Sequence, residues 1–432
     1  MNHFTLATSA SEEAGVTRPR VAVVQDGARL HYAVPRALKA AGMLEMMFTE
    51  WYFLPRSWAS LAAWLAAKVR PGAGRRMRER CHSDLAGTPI VTNPGLILQQ
   101  EIARKKHPFV ESYYAWSSGR VGAWIQRHGL GDSNALFGFV RNIDPALCEA
   151  ARQSGLHVVA DQMIAPMAEE ERQAHLQIER WPGWEAPRPA AGAALVRQVE
   201  ERTWAASDHI TCASQYVQRA LVKQGLSPDR ISVAPYPVDA TNYAFADRRG
   251  RSGNRAPPVV GFVGAVGLRK GAPWFFEVAR RFEPGQARFV MVGPIHLRPG
   301  VADRHKGNVE LAGAVPRSEV IRWLERFDIL LFPSTCEGSP TAVAEAMASG
   351  LPVVSTPNSG TLLREGQDGF IRPYDDVDGL AEAVERLVFD ATLRIEMGRQ
   401  ARERVETFTL AAYSASLAAI FTRVMQQPRR RK

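Results

Sequence analysis

A chain of 432 residues is too long for one ordinary hydrophobic core and implies two domains of roughly 150 to 220 residues each. Hydrophobic residues at 46% and charged residues at 23% describe a soluble globular protein. The best apolar run, Ser57 to Ala67, is far short of the roughly 20 residues a membrane span needs. The four cysteines, Cys81, Cys148, Cys212 and Cys336, stand singly, against a disulfide framework or a thiolate metal site and in keeping with a reducing cytoplasm.

Residues 1–18 lack a basic segment followed by an apolar core, so no signal peptide is expected there, and we read a flexible tail. Arg20 to Gln25 has the pattern of a buried strand, Gly27 opens the turn after it, and Val34 to Ala41 reads as a helix stopped by Gly42. Strands are expected at Leu44 to Thr49, Ala135 to Val140, His157 to Ala160, His209 to Ala213 and Ile231 to Ala234, with helices such as Glu200 to Ala206 and Gln215 to Gln224 between them. This alternation predicts a parallel sheet covered on both faces over residues 19–246.

The net charge of +10 is unevenly placed. Between Arg56 and Cys81 there are seven cations, Arg56, Lys68, Arg70, Arg75, Arg76, Arg78 and Arg80, against one anion, Glu79. Trp58, Leu61, Trp64 and Leu65 fall at helical spacing just before most of them. Two readings stand: a solvated cationic face beside a core helix, or a segment that contacts an anionic membrane surface or lipid-linked acceptor. No binding module accompanies the charge, so nucleic acid is not expected as a partner.

Residues 247–258 have no apolar periodicity and are rich in Gly, Pro and charge, which predicts a linker. Alternation then restarts. Strands are expected at Val259 to Val263, Ala287 to Val292, Val309 to Leu311, Ile329 to Phe332, Pro352 to Ser355 and Phe370 to Arg372. Helices are expected at Pro273 to Phe282, Arg317 to Arg326, Pro340 to Ser349 and Val377 to Phe389. A second domain thus covers 259–407. A last helix over 408–427, read as packing back on the first domain, is followed by a basic tail at 428–432. Two sequential α/β units imply two Rossmann-like domains facing a cleft.

The richest stretch is Cys336-Glu-Gly-Ser-Pro-Thr-Ala-Val-Ala-Glu345 and its continuation to Ser355. An apolar strand precedes it, Ser339 reads as an N-cap, Pro340 as the first helical residue and Gly350 as the stop. Glu337 therefore falls on the loop beyond a strand's carboxyl end and Glu345 on the next helix, at the edge where open α/β sheets bind ligands. A carboxylate accepts two O–H donors and suits vicinal hydroxyls. The start of a helix favours phosphate. Sugar hydroxyls, ribose hydroxyls and phosphates together describe a nucleotide-diphosphate sugar, a substrate rather than a cofactor. Gly264-Ala-Val-Gly-Leu-Arg-Lys-Gly271 follows the first strand of the second unit and brings Arg269 and Lys270 to the same edge. It lacks the spacing of a dinucleotide fingerprint.

On the first unit, Gly27, Arg29, His31 and Tyr32 lie on the first loop and are expected to face the cleft, with His31, Tyr32 and Arg141 as acceptor-side candidates. A purely structural role for His31 is equally compatible with its position. Asp376-Val-Asp378 is read as helix capping rather than a metal clamp, and no metal site is expected. Trp181-Pro-Gly-Trp184 is read as loop packing in preference to a carbohydrate platform.

The Glu-x7-Glu stretch with Lys270-Gly271 upstream closely resembles the retaining GT-B glycosyltransferases of family 4. Ala206 to Ser214, Ile231 to Asp239, Pro357-Asn-Ser-Gly360 and Asp368 to Pro373 extend the likeness. The resemblance implies that Glu337 contacts the donor sugar, Glu345 holds the ribose hydroxyls and Lys270 binds the diphosphate, with Gly264, Gly338, Ser339, Thr341 and Gly27 around the donor. Ala265 stands where the family has an arginine, and Arg269 is the proposed substitute. Asp161 and Gln162 occupy the place of a family histidine, and the family's paired glycines read Gly27-Ala28. The implied activity is sugar transfer, with retention and without metal, to a polysaccharide, oligosaccharide or lipid-linked acceptor at the cytoplasmic face of a membrane. A nucleotide-sugar epimerase and a non-catalytic nucleotide- or glycan-binding module are the alternatives.

Overall fold

The computed structural model describes residues 18–53, 80–107, 109–187, 189–245 and 257–427, with 61, 64, 65 and 68. The amino-terminal tail to residue 17, most of the expected linker, Trp58, Arg56, Arg70, Arg75, Arg76, Arg78 and the basic tail lie outside the described residues.

Seven parallel strands form the first sheet: β1 (Val21–Val24), β2 (Leu44–Thr49), β3 (Ile90–Thr92), β4 (Ala135–Phe139), β5 (His157–Gln162), β6 (His209–Cys212) and β7 (Ile231–Val233), in the order β3-β2-β1-β4-β5-β6-β7. Alternation along β1 explains why both faces are covered. Val21 and Val23 pack with Phe137 and with α1 (Ala33–Ala40), whereas Ala22 and Val24 pack with Phe48, Leu136 and Leu147 on the other side. Between β3 and β4 stand α2 (Pro94–Arg104) and α3 (Val110–His128); α4 (Pro145–Gln153), α5 (Met167–Arg180), α6 (Ala190–Ala206) and α7 (Gln215–Lys223) follow.

The second sheet has six parallel strands: β8 (Val259–Val263), β9 (Arg288–Val292), β10 (Glu310–Gly313), β11 (Ile329–Phe332), β12 (Val353–Ser355) and β13 (Gly369–Ile371), in the order β10-β9-β8-β11-β12-β13. Helices α8 (Ala272–Ala279), α9 (Val301–His305), α10 (Arg317–Arg326), α11 (Thr341–Ala348), α12 (Val377–Phe389) and α13 (Ala391–Val405) surround it. The last helix, α14 (Leu410–Gln426), returns to the first sheet. Tyr413, Leu417, Phe421 and Val424 join the core against α1, and Ser414 Oγ donates to the Ala37 carbonyl at 2.7 Å. Each such buried side chain contributes on the order of 1.5–3 kcal/mol.

A second crossing joins the halves at α5 and the segment after it. Trp274 Nε1 donates to Gln177 Oε1 at 2.8 Å and Tyr374 Oη to Gln173 Oε1 at 3.0 Å. Trp184 is buried in the second core, 5.0 Å from Trp181 between ring centroids. The Trp181–Trp184 turn is thus packed against the second sheet's domain. The helix after β11 departs from expectation. It begins at Thr341 with Pro340 as its N-cap, and Ser339 lies before it without capping it. Asp376 does cap α12, its Oδ1 accepting from the Gly379 N–H at 2.9 Å.

Candidate active site

Each sheet reverses its strand order once, between β1 and β4 and between β8 and β11. Loops leave the carboxyl ends of such neighbouring strands in opposite directions and open a crevice. In the second sheet those loops are Gly264–Gly271 after β8 and the turn from Pro333 to Ser339 after β11. They meet closely. The Arg269 carbonyl accepts from Thr335 N at 2.9 Å, Thr335 Oγ1 at 3.0 Å and Ser334 Oγ at 3.0 Å. Gly271, at φ +78, lies against the Pro333 carbonyl, and a Cβ there would collide with it. Only glycine gives that backbone both its angle and its approach.

This junction brings three charges together. Lys270 Nζ lies 2.6 Å and Arg269 NH1 2.5 Å from the same oxygen, Glu337 Oε1. Ser334 Oγ donates to that oxygen at 3.2 Å, the Glu337 N–H donates to the Asn358 carbonyl at 3.0 Å, and Asn358 Nδ2 donates to the Thr335 carbonyl at 2.9 Å. Burial pulls the Lys270 ammonium below its usual value, and the Glu337 carboxylate opposes that pull. Two cations against one carboxylate leave a net positive charge at the crevice.

Glu345 sits on the next helix, buried, with Oε1 accepting from Arg317 at 2.7 Å. Its carboxylate also interacts with Tyr243; burial and then that carboxylate push the phenol well above its usual range. Gly338 presses against the Met163 carbonyl of the first domain, and Gly360 against the Gly338 carbonyl and Ser214 Oγ. The crevice loops of the second domain are therefore in contact with the facing domain. The sequence offered no signal for Ser334, Tyr243 or Arg317, which arrive through tertiary packing; Asn358 lay within the quoted Pro357–Gly360 segment without an assigned role.

A cavity of about 740 Å³ opens between the domains, lined by Arg29, Tyr114, Arg141, Asp161, Gln162 and Arg269 among others. Arg141 lines it, but its guanidinium is already held by Glu200 at 2.7 Å and Glu170 at 2.8 Å. Asp161 is buried beneath the cavity, accepting from Thr211 Oγ1 at 2.7 Å and from Tyr236 Oη; burial pushes its carboxyl up to about 6. Tyr32 is a correction. Its side chain is buried in a core cluster with Met47, Tyr52 and Leu85, its ring edge-on to Tyr52, and it does not reach the cavity. His31 is exposed and does not line the cavity either. The reason is local: Leu30, His31 and Tyr32 all adopt positive φ, +50, +49 and +58, which turns the loop back on its own domain.

Beside them a small polar cluster caps β1 and β2. Asp26 Oδ2 accepts from Asn142 Nδ2 at 3.0 Å and Arg29 at 3.2 Å. Glu50 Oε2 accepts from the N–H of Gly27, which has φ +63, at 3.4 Å. Burial, then the neighbouring Asp26 carboxylate, push Glu50 up to about 8. Gly27 thus serves this cluster in the first domain, while Gly264, at φ +151, lies at the second crevice beside the Lys270 stem.

Residues 257–390 match the sequence model of the glycosyl transferases group 1. The match falls within the second domain. The chain spans about half the length of the curated relatives it matches. It is 28% identical over 221 residues, 48% of this chain and 54% of the relative, to the amylovoran biosynthesis glycosyltransferase AmsK of Erwinia amylovora. It is 32% identical over 219 residues, 46% and 53% of the two chains, to the putative colanic acid biosynthesis glycosyltransferase WcaL of Salmonella typhimurium. An Escherichia coli UDP-Gal:alpha-D-GlcNAc-diphosphoundecaprenol alpha-1,3-galactosyltransferase is 28% identical over 42% of this chain and 50% of its own. Among solved structures, sucrose-phosphate synthase from Thermosynechococcus elongatus superposes with TM-score 0.59 at 15% identity, covering 94% of this chain and 99% of its own. Anabaena HepE in complex with UDP-glucose gives 0.56 at 14% identity over 94% and 99%. These likenesses and the two facing parallel sheets show the GT-B fold.

Proposed function

We propose that the chain is a retaining, metal-independent glycosyltransferase that moves a sugar from a nucleotide-diphosphate donor to a lipid-linked or polysaccharide acceptor at the cytoplasmic face of a membrane. The observation that carries this reading is the convergence of Lys270, Arg269 and Glu337 at the switch point of a group 1 domain, with Glu345 one helix further on. In glycosyl transfer an acceptor hydroxyl oxygen bonds to the anomeric carbon as the bond from that carbon to the diphosphate breaks; the leaving diphosphate takes up negative charge and accepts the hydroxyl's proton. Lys270 and Arg269 are placed to meet that charge, helped by the first N–H groups of α11, which have no intrahelical partner. Such fixed donors act most strongly where water is excluded. Glu337, once the cations turn to phosphate, is free to accept hydroxyls of the donor sugar; Glu345 does the same for the ribose. The carboxylate-bound cations in the ligand-free chain keep those side chains in place.

The acceptor reading rests on the relatives, which include a transferase acting on a diphosphoundecaprenol-linked sugar and others of polysaccharide biosynthesis, and on the cavity between the domains. Retention and metal independence rest on the family likeness and on the supply of cations by Lys270 and Arg269. The domain limits proposed are 19–246, 259–407 and a returning helix over 408–427. The test is turnover with a panel of nucleotide sugars, with lipid-diphosphate sugars as acceptors and with EDTA present. One donor should turn over with the anomeric configuration kept and with EDTA without effect. No turnover of any donor, or loss in EDTA restored by Mn²⁺, would contradict it.

A further inference from the structure

Glu345 is a buried carboxylate, and its neighbours come from two distant parts of the chain. Arg317 is the first residue of α10, on the carboxyl side of β10, and its NH2 donates to Glu345 Oε1 at 2.7 Å. The Tyr243 phenol faces the same carboxylate from the segment that leaves the first domain. That segment is seated on the second domain. Ala240 is buried in the second core, Tyr243 packs against it, and the Tyr243 carbonyl accepts from Arg402 NH1 of α13 at 2.9 Å. The turn Ala240–Asn242 packs directly on α11, the helix that carries Glu345.

The two partners differ from a stabilising pair in the core. The Arg317 side chain is 70% exposed and the Glu345 side chain 11%. An ion pair so open to solvent on one side adds little to stability. Its consequence is orientation: a glutamate side chain has several rotatable bonds, and a contact from each side holds its carboxylate in one direction. An ionised carboxylate offers about four acceptor sites. Arg317 takes one and Tyr243 faces a second, which leaves about two. Two donors held in fixed relation are what a vicinal diol supplies. A buried acceptor left short of a donor is costly, so a ligand lacking one of the two hydroxyls is disfavoured.

We propose that Arg317 and Tyr243 are positioning residues that hold Glu345 in the orientation accepting both hydroxyls of a ribose, and that they thereby select ribonucleotides over 2′-deoxyribonucleotides. The proposal rests on the reading of Glu345 as the ribose residue of a nucleotide-sugar site. It adds the residues that act through Glu345 and the class of nucleotide they admit.

The experiment is calorimetric titration of the full chain with UDP, GDP and ADP, each beside its 2′-deoxy counterpart, with melting temperature measured on every variant. The nucleotide that binds the wild type should bind about tenfold or more tighter than its deoxy form, because the missing hydroxyl removes a hydrogen bond to a charged acceptor. Arg317→Ala and Tyr243→Phe should each weaken the ribonucleotide and leave the deoxy form almost unchanged, so that the ratio falls to about threefold or less. Arg317→Lys keeps a cation without the planar fork and should recover part of the ratio. Melting temperatures should stay at the wild-type value, since the ion pair is exposed and the Tyr243 ring is retained. Equal weakening of both forms would mean that Arg317 and Tyr243 act elsewhere on the nucleotide. That result, a wild-type ratio near one, or an unchanged ratio in both variants would overturn the proposal and leave the diphosphate reading at Lys270 standing. No binding of any nucleotide by the wild type would instead overturn the donor-site reading, and this proposal with it.

Discussion

Two cations on one carboxylate oxygen make an arrangement that a donor can re-sort. Lys270 and Arg269 both point at Glu337 Oε1, and burial pulls the lysine below its usual value while that carboxylate opposes the pull. A diphosphate brings more charge than one carboxylate and would outcompete it for both cations. The Glu50 carboxyl shows opposite logic. Folding raises it from 4.5 to about 8, by burial first and by the Asp26 carboxylate second. The folded chain therefore keeps a proton that the unfolded chain loses. The stabilisation from that proton is full below about pH 4.5 and disappears as pH rises toward about 8. Melting curves at pH 5 and pH 8 should show a smaller loss in Glu50→Gln than in the wild type; an identical loss would remove Glu50 from that role. The placement of Glu337, Glu345 and Lys270 at the carboxyl edge of the second sheet was legible in the sequence because each sits at a fixed offset from a strand end or glycine. Tyr32 was not: its loop reads as cleft-facing until three successive positive φ values turn it inward.

At the level of elements, strand–helix alternation made both sheets legible, because buried parallel strands are short apolar runs bounded by glycine and proline. The short edge strand β3, the helices α2 and α3, and α13 did not stand out. β3 has three half-buried residues, and α2 and α3 expose apolar residues that blur the helical stripe. The start of α11 was misplaced because Ser339 and Pro340 fit an earlier start equally well on local preferences. The β8–α8 loop is the element on which the site depends most. Gly271→Ala places an L side chain at φ +78 and drives its Cβ into the Pro333 carbonyl. A left-handed residue costs about 1–2 kcal/mol before any clash, so the variant should melt at least about 2 °C lower, on roughly 2–4 °C per kcal/mol for domains of this size. An unchanged melting temperature would mean the loop relaxes freely and does not fix Lys270.

Among the described residues the two facing sheets are joined at several places, among them α14 returning to α1, the α5 to Trp184 segment against the second core, and the Gly338–Met163 contact. The third lies at the crevice itself. A side chain at Gly338 would collide with the Met163 backbone, and the softest response is separation of the domains there. Gly338→Val should enlarge the radius of gyration in small-angle scattering while the melting temperature changes little. A scattering curve identical to the wild type would show that the contact does not set the closure. The basic segment between Arg56 and Arg80 was legible in the sequence as charge, and most of it lies outside the described residues.

The most direct measurement of the donor-site claim is calorimetric binding of UDP, GDP and ADP to the wild type and to Lys270→Ala. One of the three nucleotides should bind the wild type. The variant should bind it about 100-fold more weakly, since a charge-assisted contact removed from a buried site costs about 1.5–3 kcal/mol. Binding by the variant equal to that of the wild type, or no binding of any of the three to the wild type, would contradict a donor diphosphate at Lys270.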